Sequence, residues 1–423
     1  MKLPEPFLNA MTALLGDSYD AFLASYQHAP VTGLCVNTRK ISPQDLLSRL
    51  PWTAQPIAGF SEGFTIPPDV KPGAHLAHEA GLYYIQEPSA MLAPSLLPIE
   101  PDDFVLDLCA APGGKAVQLC RRVGENGFFA CNEIVPGRAK ILVENLERLG
   151  LGHSVVFQES PPRLADRFPA FFDKILVDAP CSGEGMFRKN PETILEWSAE
   201  QVRACHERQV GILQDAARML RPGGKILYCT CTFNRDENER TVEVLLQLRP
   251  DLRCEKQIRY FPHTGPGEGH FAALLTCAGT AERRRAFSFS ARGSDAGMEM
   301  FCCKTFARIE PFGDFLCALQ KNTPDLSGLK VARAGLQLFG IRDKSPKPAH
   351  ALAMALEREQ AVQRIELDET QARRYLAGEA LLCGAARGWT LVCWEGFPLG
   401  WAKSADGRLQ NHRPKGLRRA GFV

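Results

Sequence analysis

The chain has 423 residues, of which 45% are hydrophobic and 23% are charged. At roughly 150 residues per domain this length predicts two or three domains, and the composition excludes a disordered, collagenous or coiled-coil protein. The 50 lysine and arginine residues against 48 acidic ones leave a formal charge of +2, so any affinity for nucleic acid must come from local basic patches.

The sequence favours a cytoplasmic protein with reduced thiols. Its amino terminus lacks the apolar core of a signal peptide, and no segment has the uninterrupted apolar length of a membrane span, so we expect no membrane partner. The 15 cysteines include no Cys-x-x-Cys pair. Tetrahedral zinc sites need such spacings, and we therefore expect no metal.

The elements predicted along the chain fall into three regions. Residues 1–75 combine short helical stretches with the strand-like run Gly33–Asn37, which predicts an α+β extension. From 76 to 277, strand-like runs alternate with amphipathic segments, a pattern typical of βαβ units around a parallel sheet. A capping-box spacing from Ser198 to Gln201 begins a long helix that ends before Arg221. The predicted strands of this unit are Phe104–Leu108, Gly127–Cys131, Lys174–Asp178 and Lys225–Thr230.

The last part of the chain is predicted to be a separate module. Residues 278–299 are polar and carry three consecutive arginines, which indicates an inter-domain linker. From 300 to 423, a helical stretch at Ala349–Leu356 and a β-like run at Trp389–Trp394 predict an α+β fold. The basic residues near the end include Lys415, Arg418 and Arg419, which are candidates for binding RNA phosphates.

A glycine-rich turn follows the first strand of the middle region and reads Asp107-Leu-Cys-Ala-Ala-Pro-Gly-Gly-Lys115. Its glycines let the backbone approach a ligand, and the helix that follows offers free N–H groups. Glu133, after the next strand, can accept hydrogen bonds from ribose hydroxyls. The glycine spacing matches neither a dinucleotide dehydrogenase nor a P-loop. A nucleoside cofactor is predicted, with a tight turn that binds nothing as the alternative.

Two cysteines follow neighbouring strands of the predicted sheet. Cys181 comes just after Asp178, and Cys231 comes just after the next strand. Because the carboxyl ends of parallel strands meet at one edge of a sheet, we expect these three side chains to share a pocket, although each cysteine alone is more often structural. A thiolate there can add to C6 of a pyrimidine, which makes C5 nucleophilic toward a sulfonium methyl donor.

Such chemistry restricts the substrate. The pyrimidine must leave its stack to be reached from both faces, so a single-stranded, looped or flipped nucleotide is expected. Arg188 and Lys189 lie just past the Cys181 turn and are candidates for holding its phosphates. A solvated basic loop is the alternative interpretation of these two side chains.

Six motifs in this order resemble the NOP2/Sun (NOL1/NOP2/Fmu) family of S-adenosylmethionine-dependent RNA cytosine-5 methyltransferases, over nearly the whole chain. This resemblance implies a Rossmann-like methyltransferase domain, an amino-terminal α+β RNA-binding extension and a carboxy-terminal α+β PUA-like module. The motifs are Gly33-Leu-Cys-Val-Asn-Thr38, Tyr84-Ile-Gln-Glu-Pro-Ser-Ala90, the 107–115 turn, Asp178-Ala-Pro-Cys-Ser-Gly-Glu-Gly185, Arg221-Pro-Gly-Gly-Lys225 and Thr230-Cys-Thr232.

The resemblance also implies roles for individual residues. Cys231 is expected to be the nucleophile, Cys181 to assist release of the enzyme, and Asp178 to lie near the methyl donor and the cytosine. The acidic residue that the family carries after its third strand is replaced here, and Glu159 and Ser160 are the weak candidates for that contact. The other expected cofactor contacts are Cys109, Ala110, Ala111, Pro112, Gly113, Gly114, Lys115 and Glu133.

The carboxy-terminal motifs, including Gly267-Glu-Gly-His-Phe271, resemble the bacterial ribosomal-RNA branch of the family. This implies 16S rRNA or the small ribosomal subunit as partner, and a monomer suits a protein that reads one large RNA. A tRNA cytosine-5 methyltransferase is a near alternative. A non-catalytic RNA-binding ribosome assembly factor is an alternative of another class, and a nucleotide-dependent oxidoreductase is disfavoured by the glycine spacing.

Overall fold

The computed structural model describes residues 2–281, 297–342, 345–382 and 384–419. Most of the linker predicted at 278–299 lies outside these residues. Within them, no helix combines the length and the apolar character that crossing a bilayer requires.

The amino-terminal region is an antiparallel sheet with helices beside it, and its strands lie in the order β2 (Gln55–Ile57), β3 (Phe60–Ile66), β1 (Thr32–Val36) and β4 (Tyr83–Gln86). Its last strand lies beyond the boundary predicted at residue 75, because Tyr83–Gln86 pairs with Thr32–Val36 and so belongs to this sheet. The elements are α1 Glu5–Leu15, α2 Tyr19–Ser25, β1 Thr32–Val36, α3 Pro43–Arg49, β2 Gln55–Ile57, β3 Phe60–Ile66, α4 Leu76–Glu79 and β4 Tyr83–Gln86.

The middle region contains the central sheet, and the strands and the capped helix predicted from the sequence are confirmed. The Ser198 side chain accepts the backbone N–H of Gln201 at the start of α10 (Ala199–Met219), as the capping box predicts. The elements are α5 Pro88–Leu92, β5 Phe104–Asp107, α6 Gly114–Cys120, β6 Phe128–Asn132, α7 Pro136–Arg148, β7 Val155–Phe157, α8 Pro161–Arg167, β8 Phe172–Asp178, α9 Thr193–Glu196, α10 Ala199–Met219, β9 Leu220–Thr230, α11 Thr241–Leu248, β10 Leu252–Tyr260 and β11 His270–Cys277.

The remaining residues form two further sheets and contribute one strand to the central one. The elements are β12 Ile309–Phe312, β13 Phe315–Ala318, β14 Val331–Ala334, β15 Leu336–Gly340, β16 Lys347–Pro348, α12 His350–Ala355, β17 Arg364–Leu367, α13 Glu369–Ala377, β18 Leu381–Leu382, β19 Gly388–Trp394, β20 Phe397–Ala405 and β21 Arg408–Asn411. Their sheets have the orders β12-β13-β15-β16 and β17-β19-β20-β21-β18. The strand β14 thus connects the region predicted as a separate carboxy-terminal module to the central sheet.

The central sheet has the order β10-β11-β9-β8-β5-β6-β7-β14. Strands β5 to β9 are parallel, whereas β11 and β14 are antiparallel to their neighbours. From β5 the chain proceeds through β6 and β7 to one side, and then through β8 and β9 to the other. Such a reversal opens a crevice at the carboxyl ends of the strands, which is where α/β proteins bind ligands.

Two hydrophobic cores cover the faces of this sheet. In β5, Phe104 and Leu106 pack in one core while Val105 packs in the other. This alternation follows from the two-residue period of a strand, and burial on both faces explains why the parallel strands read as continuous apolar runs. The rigid sheet thereby fixes the positions of the loops that follow each strand.

Candidate active site

A cavity of about 820 Å³ lies at the carboxyl edge of the central sheet. Its wall combines the segment after β4, the glycine-rich turn after β5, the ends of β6, β8 and β9, and the start of β11. The candidates that line it are Cys109, Ala110, Ala111, Pro112, Gly114, Lys115, Glu133, Asp178, Cys181, Lys189 and Cys231. The sequence therefore predicted much of this wall.

The two cysteine thiols meet in this cavity. Cys231 directly follows β9, Cys181 lies in the loop after β8, and their Sγ atoms are 3.3 Å apart. The hydrogen bond to Cys231, together with burial, raises the pKa of Cys181 well above its ordinary value. Cys181 therefore stays a neutral thiol. Cys229, by contrast, is packed in a core, and burial raises its pKa so that it stays a neutral thiol.

An ion pair lies beside the thiols. Lys115 Nζ, at the start of α6, is 2.7 Å from Asp178 Oδ2 at the end of β8. Burial by itself lowers the pKa of Lys115, but the charge of Asp178 outweighs it and leaves the pKa above its ordinary value. A charged lysine thus fixes the orientation of the Asp178 carboxylate at the cavity wall.

Beside the expected cofactor site lies the buried carboxyl group of Asp107, whose oxygens have unused hydrogen-bonding capacity. Both oxygens of Asp107 lack a hydrogen-bond partner among the described residues, and the amide of Cys109 interacts with the group only weakly. Burial raises the pKa of Asp107 to about 8, and the negative charge of Asp178 adds to this effect. A cationic ligand at this end of β5 would stabilise the ionised carboxylate, as the sulfonium and ammonium groups of S-adenosylmethionine can.

Other features of this site also fit S-adenosylmethionine. Gly113 has a φ of 118°, a left-handed conformation that glycine adopts without strain, and it is the residue immediately before α6. Glu133 is buried after β6, where it accepts the N–H of Val135 and lies 3.3 Å from Arg138. Arg138 also donates a hydrogen bond to the carbonyl of Ala111. Its side chain therefore contacts both the glycine-rich turn and Glu133, the residue expected to bind the ribose.

The two weak cofactor candidates have other surroundings. Neither Glu159 nor Ser160 is among the residues that line the cavity, although the next residue, Pro161, is. Glu159 Oε1 accepts the backbone N–H of Lys330, next to β14. Ser160 is the residue before α8, and its side chain makes no capping hydrogen bond. The structure thus gives Glu159 a role in the pairing of β7 with β14.

Two buried glutamates, which the sequence did not single out, connect the cysteine loops. Glu184 accepts the backbone N–H groups of Phe233 and Asn234. Glu237 accepts the N–H of Ser182, beside Cys181, and the side-chain amide of Gln209. Each carboxylate therefore joins the loop of Cys181 to the chain around Cys231. Glu184 lies within a recognised motif, but Glu237 sits in a polar stretch that is typical of a solvent-exposed helix.

The RNA-contact candidates divide into two groups. Arg188, which was expected to contact RNA phosphates, is instead buried against Glu268. Its Nε lies 2.6 Å from Glu268 Oε2, and its guanidinium also donates a hydrogen bond to the carbonyl of Ser25. This occurs because α2 and the segment before β11 close over the Cys181 loop. Lys189 is exposed at the cavity. Near the end of the described chain, Lys415 and Arg419 are exposed and Arg418 is half-buried, and none of the three lines the cavity.

Comparison with known families shows where the chain belongs. A model described as 16S rRNA methyltransferase RsmB/F matches residues 94–276. Models of the RsmF amino-terminal domain, first carboxy-terminal domain and PUA domain match residues 3–88, 300–356 and 362–419. These matches cover the amino-terminal sheet, the central unit and both carboxy-terminal sheets.

Individual relatives agree with this assignment. Ribosomal RNA small subunit methyltransferase F of Shewanella oneidensis is 31% identical and covers 95% of this chain and 93% of its own length. The protein of the same name from Erwinia tasmaniensis is 29% identical over 99% of this chain and 97% of its own. A methyltransferase homologue from Pyrococcus horikoshii, 26% identical, superimposes with a TM-score of 0.58 over 65% of this chain and 95% of its own. The chain thus belongs to the RsmB/F family of 16S rRNA methyltransferases.

Proposed function

We propose that this protein uses S-adenosylmethionine to methylate C5 of a cytosine in 16S rRNA, through a covalent bond between Cys231 and C6 of the base. The observation that carries this proposal is the pair of thiols, 3.3 Å apart, in a cavity that also holds the ion pair of Lys115 and Asp178. An RNA-binding factor without activity has no need for two thiols and a charged carboxylate at the carboxyl ends of neighbouring strands.

The residues around the glycine-rich turn would hold the cofactor. Gly114 and Lys115 line the cavity at the amino terminus of α6, Glu133 would accept from the ribose hydroxyls, and Asp178 supplies negative charge. When bound, S-adenosylmethionine supplies a methyl group on a positively charged sulfur, which a carbon nucleophile can attack.

Cys231 begins the reaction. Its sulfur, as the thiolate, forms a bond to C6 of the cytosine, and the electron pair of the C5–C6 double bond moves onto C5. C5 thereby becomes the nucleophile that accepts the methyl group. The Cys181 thiol, whose sulfur lies 3.3 Å from that of Cys231, is placed to donate a hydrogen bond to the attacking sulfur.

Cys181 acts in the second half of the reaction, after C5 has accepted the methyl group. The largest cause of its raised pKa is the hydrogen bond to Cys231, and this bond is lost when the Cys231 sulfur bonds to carbon. Cys181 can then give its proton to water and, as the thiolate, take the proton from C5. The C5–H electron pair restores the C5–C6 double bond, and the C6–S bond breaks with its electrons returning to Cys231. This sequence leaves 5-methylcytosine, returns Cys231 as the thiolate and Cys181 as the thiol, and releases one proton to water.

A single set of incubations tests both the product and the roles of the thiols. Wild type, Cys181→Ala and Cys231→Ala would be incubated with radiolabelled S-adenosylmethionine and unmodified 16S rRNA or 30S subunits. The RNA would then be digested to nucleosides, and the protein run on a denaturing gel. We expect labelled 5-methylcytidine from wild type only, and an RNA adduct that survives denaturation with Cys181→Ala only.

Two results would contradict the proposal. Full turnover by Cys231→Ala would remove the thiol mechanism. If the wild type bound the cofactor but labelled neither rRNA substrate, tRNA would be tested as the substrate in the same way. Unlabelled tRNA would then favour a non-catalytic ribosome assembly factor.

A further inference from the structure

His270 occupies the cavity wall next to the two reactive groups at the strand ends. It is the first residue of β11, whose Phe271 pairs with Thr230, so His270 lies beside the end of β9 where Cys231 follows. Its Nε2 is 3.9 Å from Asp178 Oδ1, and its side chain is only 2% exposed. The imidazole is therefore held at the point where the proposed substrate base must enter.

The buried nitrogen of this side chain has no partner. Among the residues that the structure describes, no group makes a hydrogen bond to His270 Nε2. A buried polar atom without a partner is costly and in native proteins calls for an explanation, such as a ligand that binds there. Asp178 Oδ1, at 3.9 Å, is too distant for a hydrogen bond to Nε2, and both residues line the cavity.

The imidazole is neutral. Burial, aided by the charge of Lys115, holds the pKa of His270 well below its ordinary value. A neutral imidazole carries one N–H, and we assign it to Nε2. Nε2 then offers a hydrogen-bond donor, while the carboxylate of Asp178 beside it offers an acceptor. The cavity thus presents an acceptor and a donor side by side.

This arrangement matches cytosine and not uracil. Cytosine has an amino group on C4, which donates, next to N3, which accepts; uracil has a carbonyl on C4 and an N–H at position 3. A base whose amino group meets Asp178 would place N3 toward His270. Addition of sulfur to C6 also moves electron density through C5 and C4 onto N3, and a donor at that atom stabilises the resulting charge.

We propose that His270 is a catalytic and specificity-determining residue that donates a hydrogen bond from Nε2 to N3 of the target cytosine while Asp178 accepts one from the amino group. This inference rests on the proposed function. It assigns to the histidine of Gly267–Phe271 a role in base recognition that the sequence motif alone did not supply.

Two substitutions of His270 separate the loss of the donor from the loss of shape. His270→Phe keeps a ring but removes both nitrogens, and His270→Gln keeps a side-chain N–H. Each would be made in the full chain, and the rate of 5-methylcytidine formation in 16S rRNA would be measured at saturating RNA. The yield of RNA adduct would be measured with each change added to Cys181→Ala, since that yield reports the addition of sulfur to C6. Binding of S-adenosylmethionine would be measured in parallel.

We expect His270→Phe to lower both the rate and the adduct yield about 100- to 1,000-fold, the effect of removing one donor to a developing charge. His270→Gln should retain activity within about tenfold of wild type, and cofactor binding should be unchanged in both. Wild-type activity in His270→Phe, or equal losses in both variants together with lost cofactor binding, would overturn the inference alone. A wild type that makes no 5-methylcytidine would instead overturn the proposed function on which it rests.

Discussion

Arg188 and Glu268 form a buried ion pair, with Arg188 Nε 2.6 Å from Glu268 Oε2, between the loop that carries Cys181 and the segment that leads into β11. Arg188 also donates to the carbonyls of Ser25 and Gly267. Its guanidinium thereby joins α2 to the active-site loops. The neighbouring residue Lys189 is exposed, and this difference makes the two adjacent cations a matched pair for experiment.

Arg188→Ala is expected to lower the free energy of unfolding by about 3–5 kcal/mol, because it leaves Glu268 buried without a counter-charge. Lys189→Ala should change stability by less than about 0.5 kcal/mol and instead weaken RNA binding. Urea unfolding and RNA titrations at several salt concentrations would measure both effects. If Arg188→Ala unfolded like the wild type and only RNA affinity fell, the first interpretation of Arg188 as a phosphate contact would be restored.

Asp107 predicts a pH dependence of stability in the absence of ligand. Its pKa in the folded protein is about 8, above the ordinary value of 3.8. Between pH 3.8 and pH 8 the carboxyl group is therefore protonated in the folded state and ionised in the unfolded state. Stability therefore decreases as the pH rises from about 4 to about 8. Asp107→Asn should remove this loss of stability at high pH. In melting curves recorded from pH 5 to 8.5, the melting temperature of the variant should fall less steeply with pH than that of the wild type.

The same comparison with S-adenosylmethionine present supplies the control. A cation beside the carboxylate favours the ionised form, so the ligand should raise the melting temperature of wild type more at pH 8 than at pH 6. The corresponding gain in Asp107→Asn should vary little with pH. Identical ligand-induced gains in the two proteins at every pH would show that the cofactor's charge does not act on Asp107.

Glu79 predicts a loss of stability in acid. Burial by itself raises its pKa, but His78, Arg413 and Arg419 outweigh burial and lower the pKa to about 2, from an ordinary 4.5. Its stabilising contribution is thus fully present above pH 4.5 and is lost as the pH falls toward 2. At 1.36 kcal/mol per pKa unit this contribution is about 3 kcal/mol.

The ion pair of Glu79 with Arg413 connects α4 to the chain that follows β21, so its loss should loosen the carboxy-terminal sheet. Wild type and Glu79→Gln would be unfolded with urea between pH 7 and pH 2.5. The difference between the two curves should be largest above pH 5 and should shrink in acid. A difference that stays constant over this range would mean that the charge of Glu79 does not stabilise the fold.

The basic residues near the carboxyl terminus predict a salt effect on RNA binding. Lys415 and Arg419 are exposed, although Arg419 Nε lies 3.3 Å from Glu79 Oε1. Changing Lys415, Arg418 and Arg419 to alanine should reduce the slope of log affinity against log salt by about 0.7–0.9 for each RNA phosphate that these side chains neutralise. Arg253→Ala, on the edge strand β10, removes a positive charge elsewhere on the surface and should keep the wild-type slope. An unchanged slope in the triple variant would assign these charges to solvent.

Much of the candidate site could be predicted because it depends on local sequence and on one rule of sheet geometry. The apolar runs around Asp107, Asp178 and Thr230 identified parallel strands, and parallel strands bring their carboxyl ends together. The meeting of Cys181 with Cys231 follows from this rule. The position of Lys115 at the start of α6 followed from the glycine-rich turn before it.

The parts that could not be predicted depend on contacts between distant segments. Arg188 resembles a solvated loop residue until α2 and Glu268 cover it, and neither segment is adjacent to it in sequence. Glu237 likewise resembles an exposed helical acid, although its side chain is fully buried among the donors of the Cys181 loop. Burial of a charged side chain is decided by what packs over it, which local pattern does not record.

Strand β14 has a consequence for how the protein is made. Its Val331, Arg333 and Ala334 pair with β7 at the edge of the central sheet, and the ribosome adds them only after the whole of residues 158–330. Until then the growing chain carries β7 as an open edge, and open strand edges invite pairing with other polypeptides. A product terminated at residue 277 would retain every residue proposed for chemistry and still be prone to aggregate. The carboxy-terminal part therefore protects the central sheet as well as extending it.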